Sequence, residues 1–192
     1  SKPSLMQTIH FSLLCYFALV LIAILHSLSF VPSLLLISYF YDESSVLTTL
    51  CIGAPLAAIV LMFVHLAVIC LSKKCILAKP KSGTYSIYSL YYLRHWMVLK
   101  LLDVDEVNVL GDSLFYPMLL RILGAKLGKK VELGESSQFI PDFLTIEQGG
   151  FAASSVAFSW SYVYAGNISY GAARIGKEAF VGNSSFLPQG ID

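Results

Sequence analysis

Charged side chains make up only 13% of this 192-residue chain, and they are missing altogether from residues 3–41 and again from 44–72. Uncharged runs of that length exclude water-exposed surface helices and read as membrane spans, since about 20 helical residues cross the hydrocarbon core. Net charge is scarce too: 13 basic against 12 acidic residues leave +1, which gives no electrostatic footprint for nucleic acid. The four cysteines, Cys15, Cys51, Cys70 and Cys75, lack the paired spacing of a zinc site. They read as apolar packing residues, with palmitoylation of Cys75 as the alternative. Histidine stops at His95, after His10, His26 and His65. Nothing downstream can therefore build an imidazole zinc cluster, and no metal site is expected. A carrier-type Gly-Gly-x-Ser and adenylation motifs are also missing, so activation and tethering of a substrate belong elsewhere.

What is present is strongly apolar: 56% hydrophobic residues and a mean hydropathy of +0.71. The first span is placed at Ile9 to Phe30, with Pro32 as the break, and the second at Leu47 to Leu71. The first run is too long and too rich in Leu and Phe for a signal peptide. Lys2 before the hairpin and Lys73, Lys74, Lys79 and Lys81 after it, with Asp42 and Glu43 between the spans, predict both ends on the cytosolic side. The sequons at Asn167 and Asn183 then stay unmodified. The start at Ser1 and a stop within a repeat at Asp192 read as an excised, C-terminally truncated portion of a larger polypeptide.

The expected organisation is a transmembrane hairpin over 1–72, a linker over 73–83, an amphipathic helical connector over 84–123 and a left-handed parallel β-helix over 124–192. In the connector, Tyr85 to Leu102 has a helical pattern with an aromatic face, suited either to the bilayer interface or to packing on the β-helix. A second short helix is expected from Leu114 to Leu123, with Ser113 as N-cap and Gly124 as stop. The β-helix is read from a six-residue beat: Leu127, Leu133, then Ile140, Ile146 and Ala152, and later Ile175, Val181 and Leu187. An aliphatic residue at every sixth position, followed by a small one, suits short strands that each send one side chain inward before the chain bends. The seven-residue step from Leu133 to Ile140 reads as a bulge. Gly176, Gly182 and Gly190 read as corner residues. The aromatic stretch from Val156 to Arg174 loses the beat and reads as an inserted loop.

Against this frame the block Leu123-Gly-Ala-Lys-Leu-Gly-Lys-Lys-Val-Glu-Leu, then Ile140-Pro-Asp-Phe-Leu-Thr-Ile, Phe151-Ala-Ala and Ala172-Ala-Arg-Ile-Gly-Lys-Glu-Ala-Phe-Val-Gly-Asn stand in a distinctive order. Arg94-His-Trp and the run from Phe115 to Lys126 precede them. Together they resemble the C-terminal region of membrane-bound non-ribosomal peptide synthetases of the ε-poly-lysine synthetase type. The resemblance implies membrane hairpins alternating with acyltransferase-like β-helix domains, downstream of adenylation and carrier domains. It implies a phosphopantetheine thioester on the carrier, no cofactor in this region, and as partners the lipid bilayer, the carrier, neighbouring β-helix domains and an aminoacyl substrate. The sequence departs from the family frame at Glu147, and at Ser154, where an acidic residue is expected.

Joining a carrier thioester to an amine needs a base and fixed donors for the developing oxyanion. Asp142, between Ile140 and Phe143, is one candidate base; it reads equally as a corner residue capping backbone amides. His95 is the other, with a headgroup or packing contact as its alternative. Glu132 and Glu147 are candidates for binding a cationic side chain. Trp160, with Tyr162 and Tyr164, either lines an apolar pocket or packs on the coil, and Asn183 either bonds a ligand carbonyl or stacks in a ladder. The functional expectation is a membrane-tethered acyltransferase-like module of a peptide synthetase. Two alternatives stand beside it: a non-catalytic assembly module that completes a pseudo-trimer, and a free-standing small-molecule acyltransferase.

Overall fold

In the computed structural model, residues 4–103, 107, 110–136, 139–159 and 161–190 are described. Trp160 lies outside them. The chain opens with two antiparallel helices, α1 (Leu5–Glu43) and α2 (Val46–Ile76), both long and apolar enough to cross a membrane. Pro32 does not break α1 as its sequence position suggests. It sits exposed inside a continuous 39-residue helix. Small buried positions, Ala18, Ser29 and Ser33 on α1 and Ala57 on α2, let the two backbones approach. At the far end, Thr49 begins a π-helical turn (Thr49–Gly53) within α2. Its hydroxyl donates to the Phe40 carbonyl at 3.1 Å. Further along, His26 Nδ1 and His65 Nε2 lie 2.5 Å apart.

The linker is shorter than the sequence suggests. Helix α2 keeps Lys73 and Lys74 in its last turn, and Gly83 already belongs to strand β1 (Gly83–Ser86). Helix α3 starts only at Leu90 and runs to Leu102, because the Ser89 hydroxyl accepts the Tyr92 N–H at its N-terminus. It is not exposed at an interface. Leu93, Met97 and Leu101 pack with Ala18 and Ile22 of α1, while Val98 joins a cluster with Ile140, Phe143, Ile168 and Tyr170. The second connector helix, α4 (Tyr116–Ile122), agrees with expectation to within two residues, but Ser113 caps the N–H of Phe115 ahead of it.

Eight of the remaining strands form three parallel sheets. Strands β2 (Lys126–Leu127), β4 (Leu144–Ile146) and β9 (Ala173–Ile175) make the first. Strands β3 (Glu132–Leu133), β5 (Phe151–Ala152) and β10 (Phe180–Val181) make the second, and β6 (Ala157–Phe158) pairs with β11 (Phe186–Leu187) in the third. Successive turns of chain visit these sheets in the same order. The beat is visible as register: Leu127 pairs with Ile146 and Ile146 with Ile175, and Leu133 and Val181 both pair with Ala152. These side chains stack into one core with Phe139, Val156 and Phe158.

Of the three expected corners, Gly190 falls where expected and the other two do not. Left-handed φ occurs at Glu178, Ser184 and Gly190, six residues apart, and not at Gly176 or Gly182. Gly128 and Gly134 are needed for another reason: a Cβ on either would sit 2.5 Å from a backbone nitrogen of the next turn, that of Gln148 or Ser154. The seven-residue step from Leu133 to Ile140 runs through residues 137 and 138, so the expected bulge lies outside the described residues; a 3-10 turn at Pro141–Phe143 follows it. The aromatic insertion is an antiparallel hairpin, β7 (Tyr162–Tyr164) and β8 (Asn167–Tyr170), whose second strand pairs with β1.

Candidate functional site

The largest concavity among the polar residues in question is a groove of about 430 Å³ between α4 and the second parallel sheet. Alternation along β3 creates it: Leu133 turns into the core while Glu132 stays exposed. Asp112, Ser113, Leu114, Pro117 and Arg121 form one wall, and Lys130, Glu132, Phe151, Ser154 and Asn183 the other. Arg121 clamps the walls together, its Nη2 donating to the Gly128 carbonyl at 2.7 Å and its Nε to the Leu127 carbonyl at 3.2 Å.

Asp112 is the best-defined polar group in the groove. Its backbone has φ 59, a conformation Asp tolerates better than most residues because its short side chain bonds locally. Its Oδ1 accepts from the Ser154 hydroxyl at 2.7 Å and from the Glu135 N–H at 3.2 Å. The connector thus brings a carboxylate to Ser154. Two carboxylates, Asp112 and Glu132, and the Asn183 amide share one cleft that can hold an ammonium group and take up its proton.

Of the sequence-derived candidates, Glu132 and Asn183 are brought together here; Glu147, Asp142 and His95 are not. Glu147 is exposed and forms an ion pair with Arg174. The hydrogen bond from that guanidinium holds its carboxyl below the ordinary carboxylate range. Asp112, Arg121, Lys130 and Ser154 were not among the candidates. The one signal in the sequence was the departure at Ser154.

Asp142 sits where the membrane hairpin meets the sheets. Its carboxylate lies 2.5 Å from Lys73 Nζ, with the side chains 18% and 3% exposed. Gly124, at φ +112, makes room for it, since a Cβ there would lie 2.6 Å from Asp142 Oδ1. His95 is fully buried nearby in an aromatic stack, 4.0 Å from the Tyr170 ring and 6.0 Å from that of Phe143. Its Nδ1 lies 3.2 Å from the Tyr91 carbonyl. Burial pushes its pKa down to about 4 despite that hydrogen bond. Among the described residues no hydrogen bond joins His95 to Asp142, and no group of His, Cys, Asp and Glu could hold a metal ion.

No family model and no solved structure matches this chain. It is 31% identical over 120 residues to a delta-poly-L-ornithine synthetase of Acinetobacter baumannii (strain AB307-0294). The match covers 62% of this chain but 9% of that much longer protein. The similarity is thus to a small part of that synthetase.

Proposed function

We propose that this chain is a membrane-tethered acyltransferase-like module of a peptide synthetase, taking part in amide-bond formation from carrier-bound amino acids. The observation that carries the reading is the groove in which Asp112, Glu132, Ser154 and Asn183 converge. In this reading the three parallel sheets are a left-handed β-helix of the hexapeptide-repeat type, and the hairpin anchors it in the bilayer. Lys73, Lys74, Lys79 and Lys81 on one side of the hairpin and Asp42 and Glu43 on the other favour the cytosolic face.

The step needs little from the protein. An incoming amine, held as ammonium between Asp112 and Glu132, gives one proton to Asp112. Its nitrogen then attacks the thioester carbonyl carbon of an aminoacyl group carried on phosphopantetheine by another domain. The new C–N bond forms, the C–S bond breaks, and the leaving thiolate takes up the second proton that the nitrogen sheds as it becomes an amide. Lys130 and the Asn183 amide are the donors in the groove that can face the developing oxyanion. The relative is named as a poly-ornithine synthetase, and the two carboxylates of the groove suit an amino acid with a cationic side chain. Asp142 and His95 have a different part: they join the β-helix to its anchor.

The test is Asp112→Asn in the intact polypeptide. Asn keeps the backbone conformation and an acceptor for Ser154 but cannot take a proton. Product formation should fall by about 10²-fold or more, as expected for loss of a general base, with aminoacyl loading of the carrier unchanged. Normal product formation would favour the non-catalytic assembly module instead.

A further inference from the structure

Helix α4 has two faces of opposite fate. Tyr116, Leu119, Leu120 and Leu123 are buried in the main core, in one cluster with Ile69 of α2. On the other side Leu114, Phe115, Met118 and Ile122 are 88%, 65%, 57% and 56% exposed. Four large apolar side chains open to solvent, two on this short helix and two in the turn that leads into it, form a patch rather than scattered surface residues.

The hairpin tells where this patch lies. Counted from the turn at Ser44, the rise from Val46 to Leu66 is about 30 Å, one hydrocarbon thickness. Leu66, Ile69 and Cys70 of α2, which share the core cluster with the buried face of α4, are therefore where the helix leaves the core of the bilayer. Phe63 and Leu71, close to them in sequence, are exposed apolar residues of the hairpin itself. Lys126, Lys129 and Lys130 follow α4 as exposed cations, at the level where anionic headgroups would meet them.

From this juxtaposition we infer that α4 is a monotopic anchor: its Leu114, Phe115, Met118 and Ile122 face inserts into the leaflet beside the hairpin. The occupant is the acyl-chain boundary of an anionic bilayer, and the mouth of the groove, of which Leu114 and Arg121 are lining residues, then opens at headgroup level. The inference rests on the membrane reading of the hairpin.

A variant chain with its four cysteines replaced by alanine is given one new cysteine, Met118→Cys, Phe63→Cys or Glu178→Cys, and labelled with an environment-sensitive fluorophore. Each is reconstituted in phosphatidylcholine and phosphatidylglycerol vesicles, with or without brominated acyl chains. Labels at 63 and 118 should both be quenched, by about twofold or more, and the corner label at 178 should not. Quenching at 63 without quenching at 118 overturns the anchor and leaves the hairpin reading intact. Loss of quenching at 63 overturns the membrane reading itself. Recovery of quenching at 118 only in vesicles that contain phosphatidylglycerol supports the basic rim; equal quenching without it overturns that part.

Discussion

The ion pair between Lys73 and Asp142 gives the sharpest account to test, because two roles for Asp142 predict opposite results. Lys73 is nearly inaccessible and Asp142 mostly so, and deleting one partner of such a pair leaves a charge with no solvent to take it. Single removals of this kind cost about 3–5 kcal/mol, and replacing both partners by apolar or neutral groups is close to neutral. Because Asp142 keeps some exposure, we take the low end, about 3 kcal/mol for Asp142→Asn or Lys73→Met. For a chain of this size that lowers the thermal midpoint by roughly 6–12 °C. The assay is a double-mutant cycle in detergent micelles or proteoliposomes, read by thermal unfolding and by product formation in the intact polypeptide. The double variant should recover most of the lost stability and turn over near the parent rate. A double variant that is stable but inactive would make Asp142 the base and refute the tether; harmless single variants would show that the pair contributes nothing.

His95 predicts a pH dependence. With a folded pKa of about 4 against an ordinary 6.5, the unfolded chain binds a proton that the folded chain does not between those values. Its contribution is therefore complete above about pH 6.5 and lost as pH falls towards 4, on the order of 3 kcal/mol in all. His95→Phe, which keeps the stack on Tyr170, should flatten that slope in thermal midpoints measured from pH 4 to 7; an unchanged slope would assign it to other groups. Gly134→Ala should destabilise by about 1–3 kcal/mol through overpacking, since its Cβ meets the Ser154 nitrogen at 2.5 Å; a thermal midpoint equal to the parent's would contradict the close approach. Glu147→Gln should leave both midpoint and product formation unchanged, because the pair with Arg174 is exposed.

Local regularities were legible in the sequence and long-range closure was not. The six-residue beat placed Leu127, Leu133, Ile146, Ala152, Ile175, Val181 and Leu187 in register across turns, because inward-facing positions leave a period. Charge-free runs likewise marked α1 and α2. The 3-10 turn at Pro141–Phe143 left no mark on the beat, because Ile140 and Ile146 keep the six-residue step across it. Pro32 misled because a long apolar helix tolerates a proline that would end a short one. The groove was half legible: Glu132 and Asn183 lie on the repeat, whereas Asp112 reaches Ser154 across 42 residues of chain. No local pattern announces such a contact.

The central claim is that amide formation uses the groove and not the junction at Asp142. The direct measurement is the rate of product formation by the intact, reconstituted polypeptide carrying Asp112→Asn, alongside its carrier-loading rate. Loading at the parent rate with product formation reduced by about 10²-fold or more is the predicted result. Product formation at the parent rate would contradict it.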